Sequence, residues 1–167
     1  MLTCVLLAST IHELGHFAVL RLFGARVGGL RVHALGAVME TDTARLSYAQ
    51  ELAATLAGPG ANLLLAVGCS LWDAEQCLVL IGASLVLGAF NLLPVLPLDG
   101  GRALYLLVSW LLGAPAGERV SRMISLVCAL LLGLGLIFLM IRTGGSLWLL
   151  PPAVAALAAA MKRCRKG

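Results

Sequence analysis

Five consecutive residues near the start of the chain, His12-Glu13-Leu14-Gly15-His16, have the types and spacing of a metal site. On a helix, histidines four residues apart share one face, so both imidazoles can bind one zinc ion. Zinc lowers the pKa of water, and a neighbouring carboxylate such as Glu13 can take the proton. Two histidines and a carboxylate are expensive to place in a segment otherwise apolar enough to cross a membrane, which indicates that they have a function.

The stretch from Asn91 to Gly101 carries the next candidate residues. Its sequence, N-L-L-P-V-L-P-L-D-G-G, contains two prolines that break a helix and glycines that permit unusual dihedrals. Irregular backbone at membrane depth is tolerated where it is buried or lines a wet cavity. Asp99 is a natural third metal ligand, and its charge would help to balance the cation. The alternative is an interfacial turn in which Asp99 caps the following helix and pairs with Arg102.

The segment Ala57-Gly58-Pro59-Gly60-Ala61-Asn62 combines small residues with one polar side chain. Ala53, Ala57 and Ala61 have the small-xxx-small spacing of closely packed membrane helices, and Pro59 favours a kink. Packing accounts for the alanines and glycines. For Asn62 two interpretations stay open: its amide binds the substrate, or it bonds a neighbouring helix.

The elements that must position these residues are membrane helices. Hydrophobic residues make up 60% of the 167 residues and charged residues 12%, well below the roughly one quarter of soluble domains. The uncharged runs approach the ~20 residues of a spanning helix, as does the segment that carries the histidines. The predicted spans are 1–20, 52–72, 76–98, 123–141 and 143–161. The predicted fold class is an all-α polytopic membrane protein of about five transmembrane helices, with 103–117 as an interfacial piece or the continuation of a broken helix.

Between the first two spans, residues 27–41 have the pattern of two short strands around a turn. Glycines bound the segment, and valine and leucine recur along it. We expect a short β-hairpin-like element after the first helix, whose exposed edge could hold a substrate in extended form.

The distribution of charge predicts how the chain threads the membrane. The loop between the second and third spans carries Asp73 and Glu75 and no base, whereas basic residues concentrate at 21–45, 119–122 and 162–166. Because positive charge marks the cytoplasmic side, the first residue starts outside and the chain ends inside. This threading places the two histidines and Asp99 at similar depth, toward the cytoplasmic side of the cell membrane. The net charge of +4 does not indicate nucleic-acid binding, because the basic residues lack interleaved aromatics.

Together these residues resemble the site-2 protease family of intramembrane zinc metalloproteases. The hallmarks of that family are H-E-x-x-H in one membrane helix and a later L-D-G, here Leu98-Asp99-Gly100. The N-x-x-P-x-x-P-L-D-G-G spelling, with A-G-P-x-x-N, looks like the branch that contains stage IV sporulation protein FB. The resemblance implies that His12, His16 and Asp99 bind Zn2+ and that Glu13 activates water. Asn91 is similar to a family asparagine near the site, where it would help to hold the substrate or the developing oxyanion.

The resemblance covers roughly residues 5–112 and implies regulated intramembrane proteolysis. Residues 1–112 are then a catalytic three-helix membrane core, and 113–167 are two C-terminal transmembrane helices with a basic cytoplasmic tail. The substrate is expected to be a membrane-associated protein, cut by zinc-activated water with Glu13 as general base. The chain lacks room for the PDZ or CBS domains that regulate many relatives, so regulation through such a domain is expected only if a membrane partner supplies it. Branch members usually carry a helix before the motif helix, and a minimal form and a misassigned start codon both remain open.

Two non-catalytic functions stay as alternatives. A zinc-binding membrane scaffold or metal carrier would retain the metal ligands, but a carrier should place ligands along a path through several helices. Here the acidic and histidine residues cluster at one depth, which favours a catalytic site. A structural subunit of a membrane complex would have no need of Glu13.

Overall fold

The computed structural model describes residues 1–33, 36–42 and 46–143, with the side chains of 26–45 and a few near residue 140 left aside. The elements in chain order are α1 (Leu2–Leu22), β1 (Arg26–His33), β2 (Gly36–Asp42), α2 (Tyr48–Asp73), α3 (Leu78–Asn91), α4 (Asp99–Leu112) and α5 (Ala114–Thr143). They fall into two compact units, divided between Leu92 and Leu93. The predicted division into a catalytic core and a C-terminal pair of helices is a functional one and stays a prediction.

A glycine ends α1 and lets the chain turn. Gly24 has φ of +76°, a conformation that glycine adopts without steric cost. In this geometry Ala25 donates its N–H to the carbonyl of Leu20 at 2.9 Å, which satisfies a carbonyl at the helix end. The strands β1 and β2 follow as an antiparallel pair, with an irregularity in register between Val27 and Gly29.

The long helix α2 begins at a reciprocal cap. Ser47 accepts a hydrogen bond from the backbone N–H of Gln50, and the Gln50 side chain accepts one from the backbone N–H of Ser47. The helix then continues through Pro59 to Asp73. Within the first unit, α2 packs against both α1 and α3, and α1 also contacts α3.

The described helices bury small and polar side chains and expose large apolar ones. Ala8, His12 and Asn62 are buried, while Leu14 and Leu64 are exposed. Such a distribution is typical of helices that pack through small residues and face lipid with leucine. Among the described residues, three helices are long and apolar enough to cross a membrane: Leu2–Leu22, Tyr48–Asp73 and Ala114–Phe138. The chain is therefore a membrane protein.

The third predicted span differs from the structure. Hydropathy predicted a helix over 76–98, but α3 ends at Asn91 after 14 residues, a length of about 21 Å at the usual helical rise. The prolines at 94 and 97 stop the helix, because proline offers no N–H to the helical ladder. The predicted short piece 103–117 corresponds to α4 together with the start of α5. The predicted last span, 143–161, lies outside the described residues except for Thr143, the last residue of α5.

In the second unit, the irregular segment 93–98 precedes α4 in the chain and contacts both α4 and α5. Val95 and Ala129 are buried together, with Leu93, Leu98 and Cys128 packed around them. The N–H of Leu96 donates to the hydroxyl of Ser125 on α5 at 2.8 Å. A side chain on Gly101 would lie 2.6 Å from the backbone of Val95 and Leu96, so α4 approaches this segment closely.

Candidate metal centre

The two histidines of α1 direct the same ring nitrogen toward each other. The Nε2 atoms of His12 and His16 are 3.2 Å apart. The ring centroids are separated by 4.8 Å and the ring planes are nearly perpendicular, at 85°. Residues four apart on a helix share one face, and here both rings meet on the face that packs against α2. The two Nε2 atoms therefore converge as two ligand atoms of one metal ion would.

The outer nitrogen of His16 is fixed by the backbone of α2. Nδ1 of His16 lies 2.8 Å from the carbonyl oxygen of Ala54. A carbonyl oxygen only accepts, so Nδ1 carries the hydrogen and donates it. In a neutral imidazole the remaining nitrogen, Nε2, then has the lone pair that a metal requires.

The outer nitrogen of His12 meets a side chain of α2. Nδ2 of Asn62 lies 3.1 Å from Nδ1 of His12, and the side chain of Asn62 is 0% exposed. Of the two interpretations left open by the sequence, the structure shows the bond to a neighbouring helix. Oδ1 of Asn62 is buried without a hydrogen-bond partner among the described residues.

Small residues allow α1 and α2 to approach closely enough for these bonds. A side chain on Gly15 would lie 2.6 Å from the carbonyl oxygen of Ala57 and 2.8 Å from Cβ of Ala61. A side chain on Gly58 would overlap the imidazole of His16, lying 2.6 Å from its Cε1. Ala57, Gly58 and Ala61, interpreted from the sequence as packing residues, therefore act together with Gly15 to bring the two helices to hydrogen-bonding distance.

The donor set fits a zinc ion. Zinc binds neutral imidazole nitrogens, and its histidine ligands almost always donate their second N–H to a carbonyl, carboxylate or water. His16 already has that arrangement with Ala54, and the outer nitrogen of His12 is in contact with an amide. The five cysteines of the chain contain no C-x-x-C pair, so histidine is the better candidate ligand.

The remaining predicted site residues occupy three different elements. Glu13 is half-buried on α1, adjacent to His12. Asn91 is half-buried at the end of α3 and donates Nδ2 to the carbonyl of Leu87 at 3.1 Å. Asp99 is half-buried in the first turn of α4, whose N-cap is Leu98. Asp99 is therefore inside the helix and not its N-cap, and the positive end of the helix dipole favours its carboxylate there.

Sequence reasoning missed one contributor entirely and, for a second, the residue that it contacts. The carbonyl of Ala54 supports His16, and a backbone acceptor leaves no signal in residue type. The absence of a side chain at Gly58 makes room for the same imidazole. Gly58 belongs to the A-G-P-x-x-N element, whose small residues predict that another helix approaches closely. They do not indicate that the side chain in this space is the imidazole of His16.

Comparison with known proteins places these features in a family. A family model described as peptidase family M50 matches residues 1–73 and 70–135. Stage IV sporulation protein FB of Bacillus subtilis is 32% identical over 146 residues, covering 82% of this chain and 50% of that protein. A zinc metalloprotease of Methanocaldococcus jannaschii is 28% identical over 133 residues, covering 73% of this chain and 38% of that protein.

A solved structure has the same fold. The site-2 protease from Methanocaldococcus jannaschii superposes with a TM-score of 0.71 at 24% identity, covering 96% of this chain and 75% of that chain. The chain spans half or less of the length of the curated relatives named above.

Proposed function

The chain belongs to peptidase family M50, and on that premise we propose that it hydrolyses a peptide bond of a membrane-associated protein within or near the bilayer. The family is zinc-dependent, and Zn2+ is the cofactor. The observation that carries the proposal is the pair of converging Nε2 atoms of His12 and His16, 3.2 Å apart. Idle imidazoles in an apolar helix would be an expensive arrangement to keep.

His12, His16 and Asp99 are the proposed zinc ligands. Support for Asp99 comes from the L-D-G spelling and from its place at the beginning of α4, after an irregular segment. A carboxylate also offsets part of the charge of a divalent cation in an apolar environment. When bound, zinc supplies Lewis acidity, which lowers the pKa of water and polarises a peptide carbonyl.

Glu13 is the proposed general base and acid. Its carboxylate would take the proton of the attacking water and then transfer that proton to the leaving amine nitrogen. Its position supports this role, because it follows His12 directly on α1 and is half-buried rather than fully exposed. A carboxylate that accepts and returns one proton leaves the enzyme unchanged after each turnover.

Asn91 is the proposed contact for the substrate carbonyl. An amide NH2 group carries two hydrogens, and the bond to Leu87 uses one of them. The second can be donated to an oxygen on which negative charge develops. The paired strands β1 and β2 are the proposed clamp, since an extended substrate can add to a strand edge and expose its peptide bonds.

The decisive variant is Glu13→Gln. Wild type and variant would be reconstituted in liposomes with a panel of fluorescent single-span reporters that carry helix-breaking residues in the membrane segment. We expect E13Q to lose at least about a hundredfold in cleavage rate, as is usual when a general base is removed, while the zinc content of the protein is unchanged.

The matched control is Glu118→Gln. Glu118 is an exposed carboxylate on α5 that pairs with Arg122 at 2.6 Å, so its loss should leave cleavage intact. Equal cleavage by wild type and E13Q would contradict the role of Glu13. A zinc-loaded wild type that cleaves none of the reporters would favour the zinc-binding scaffold.

A further inference from the structure

The amide of Asn62 is enclosed at the contact between α1, α2 and α3. It is fully buried, lies 3.1 Å from Nδ1 of His12, and has one polar atom without a partner among the described residues. On its other side, α3 approaches through Gly88, whose missing side chain would lie 3.4 Å from Cβ of Asn62. A side chain so enclosed has little access to a substrate and must act through its neighbour.

The position of the hydrogen on the His12 ring determines which atom of the Asn62 amide must face it. If His12 binds a cation through Nε2, that nitrogen has no hydrogen, and the hydrogen of the neutral ring is on Nδ1. The group opposite Nδ1 must then accept. Turning the Asn62 amide by about 180° exchanges its nitrogen and oxygen with almost no change in shape, and it places Oδ1 opposite Nδ1.

We propose that Asn62 is a positioning residue that accepts the Nδ1–H of His12 through Oδ1 and so holds His12 in the tautomer that binds metal through Nε2. This inference rests on the proposed function, since it requires His12 to be a ligand. It replaces substrate binding as the role of Asn62.

The two histidines then differ in the number of tautomers that their hydrogen-bond partners allow. The Ala54 carbonyl can only accept, so His16 keeps one tautomer. The Asn62 amide can donate to His12 when Nε2 carries the hydrogen and accept when Nδ1 carries it. Metal binding therefore requires a proton to move on one imidazole only, and the asparagine can follow that move by turning its amide.

Zinc affinity measured without substrate tests the inference. The protein in detergent would be titrated with zinc against a competing chelator, comparing wild type with Asn62→Leu, Asn62→Asp and His12→Ala. Leucine removes the acceptor at similar volume, and we expect a loss of about ten- to a hundredfold in affinity, the usual effect of removing a group that orients a ligand. Aspartate accepts but cannot donate, so N62D should bind zinc within a few-fold of wild type.

Ser84→Ala is the matched control, because Ser84 on α3 is also fully buried and its hydroxyl has no partner among the described residues. S84A should bind zinc like wild type. If N62L also binds like wild type, or if N62D loses as much as N62L, the role of Asn62 is wrong. If H12A keeps wild-type affinity, the proposed function fails instead, because His12 is then no ligand.

A spectroscopic measurement covers the case in which N62D does not fold. The chain has three histidines, so 15N-histidine spectra of the zinc-loaded wild type can be assigned with single variants. We expect a protonated Nδ1 for His12 and for His16. An unprotonated Nδ1 on His12 would overturn the inference whichever variants fold.

Discussion

At the scale of single residues, the imidazole of His16 occupies the space that a side chain on residue 58 would need. Cβ at this position would lie 2.6 Å from Cε1 and 2.8 Å from Cδ2 of the ring. The neighbouring glycine of the same helix, Gly60, has nothing within 4 Å of its missing Cβ. The two glycines therefore form a matched pair, one against the imidazole of His16 and one in open space.

We predict opposite results for Gly58→Ala and Gly60→Ala. G58A must displace His16 or separate α1 from α2, so it should weaken zinc binding and reduce the free energy of unfolding by about 1–3 kcal/mol. G60A should leave zinc affinity unchanged and be neutral or slightly stabilising, since alanine favours a helix over glycine by roughly 0.5–1 kcal/mol. Thermal unfolding in detergent and chelator titration measure both effects. Equal zinc affinity of the two variants would contradict the close packing at Gly58.

The proposed metal ligands are a prediction from residue type and spacing, which carry no information about hydrogen-bond partners. His12 and His16 are predicted from their spacing on one helix face. The partner of His16 is a backbone carbonyl, which every residue carries. For Asn62 the sequence left two interpretations, because the partner of its amide depends on how α1 and α2 align. That alignment is a property of the helix pair and not of the asparagine.

At the scale of elements, α5 supports the irregular segment that leads into α4. The hydroxyl of Ser125 accepts the N–H of Leu96 at 2.8 Å. Because Leu96 lies in an irregular segment, a regular helix does not provide a carbonyl acceptor for this N–H. Gly101 of α4 approaches the same segment from within the unit. The residues before Asp99 are thus fixed by two helices of their own unit.

We predict that Ser125→Ala loosens residues 93–98. Removing the hydroxyl leaves the N–H of Leu96 without its acceptor, at a cost of about 1–3 kcal/mol. Hydrogen exchange measured by mass spectrometry should show faster exchange in this segment, and zinc affinity should fall if Asp99 is a ligand.

The control for this prediction is Ser121→Ala. Ser121 is as buried as Ser125, but its hydroxyl donates to the carbonyl of Glu118 in its own helix, at 3.3 Å. S121A should therefore leave the 93–98 segment protected. Identical exchange in S125A and wild type would show that the Ser125 bond contributes little to the order of the segment.

The element boundaries were predicted from uncharged runs, which contain no information on caps or on proline. The second span was predicted over 52–72, whereas α2 begins at Tyr48, after the cap at Ser47. The apolar run 76–98 was predicted as one span because hydropathy averages over composition. The prolines within it act on backbone hydrogen bonding, which hydropathy does not measure.

At the scale of the whole molecule, the charge pattern predicts an orientation that thiol labelling can test. The connection between α2 and α3 is acidic and is predicted to lie outside, while the beginning of α5 is predicted to lie inside. Ala74 and Glu118 are exposed residues in these two places. Each can be replaced by cysteine in a background without the native cysteines.

We predict that Ala74→Cys reacts with a membrane-impermeant maleimide in intact spheroplasts, and that Glu118→Cys reacts only after permeabilisation. The native Cys77 is a poor reporter, because burial and then a hydrogen bond with Cys69 raise the pKa of its thiol. A raised pKa leaves less thiolate at neutral pH and slows labelling. The reverse labelling pattern would place the metal centre toward the outside.

The close fit of α1 and α2 also determines which genetic changes the chain can accept. Leucines on the lipid side, such as Leu14 and Leu64, can be exchanged for other apolar residues. Between residues 54 and 62, however, a one-residue insertion or deletion would turn one end of α2 by about 100° relative to the other. The Ala54 carbonyl and the Asn62 amide could then no longer face α1 together. Natural variation in this stretch should therefore consist of substitutions, with its length held constant.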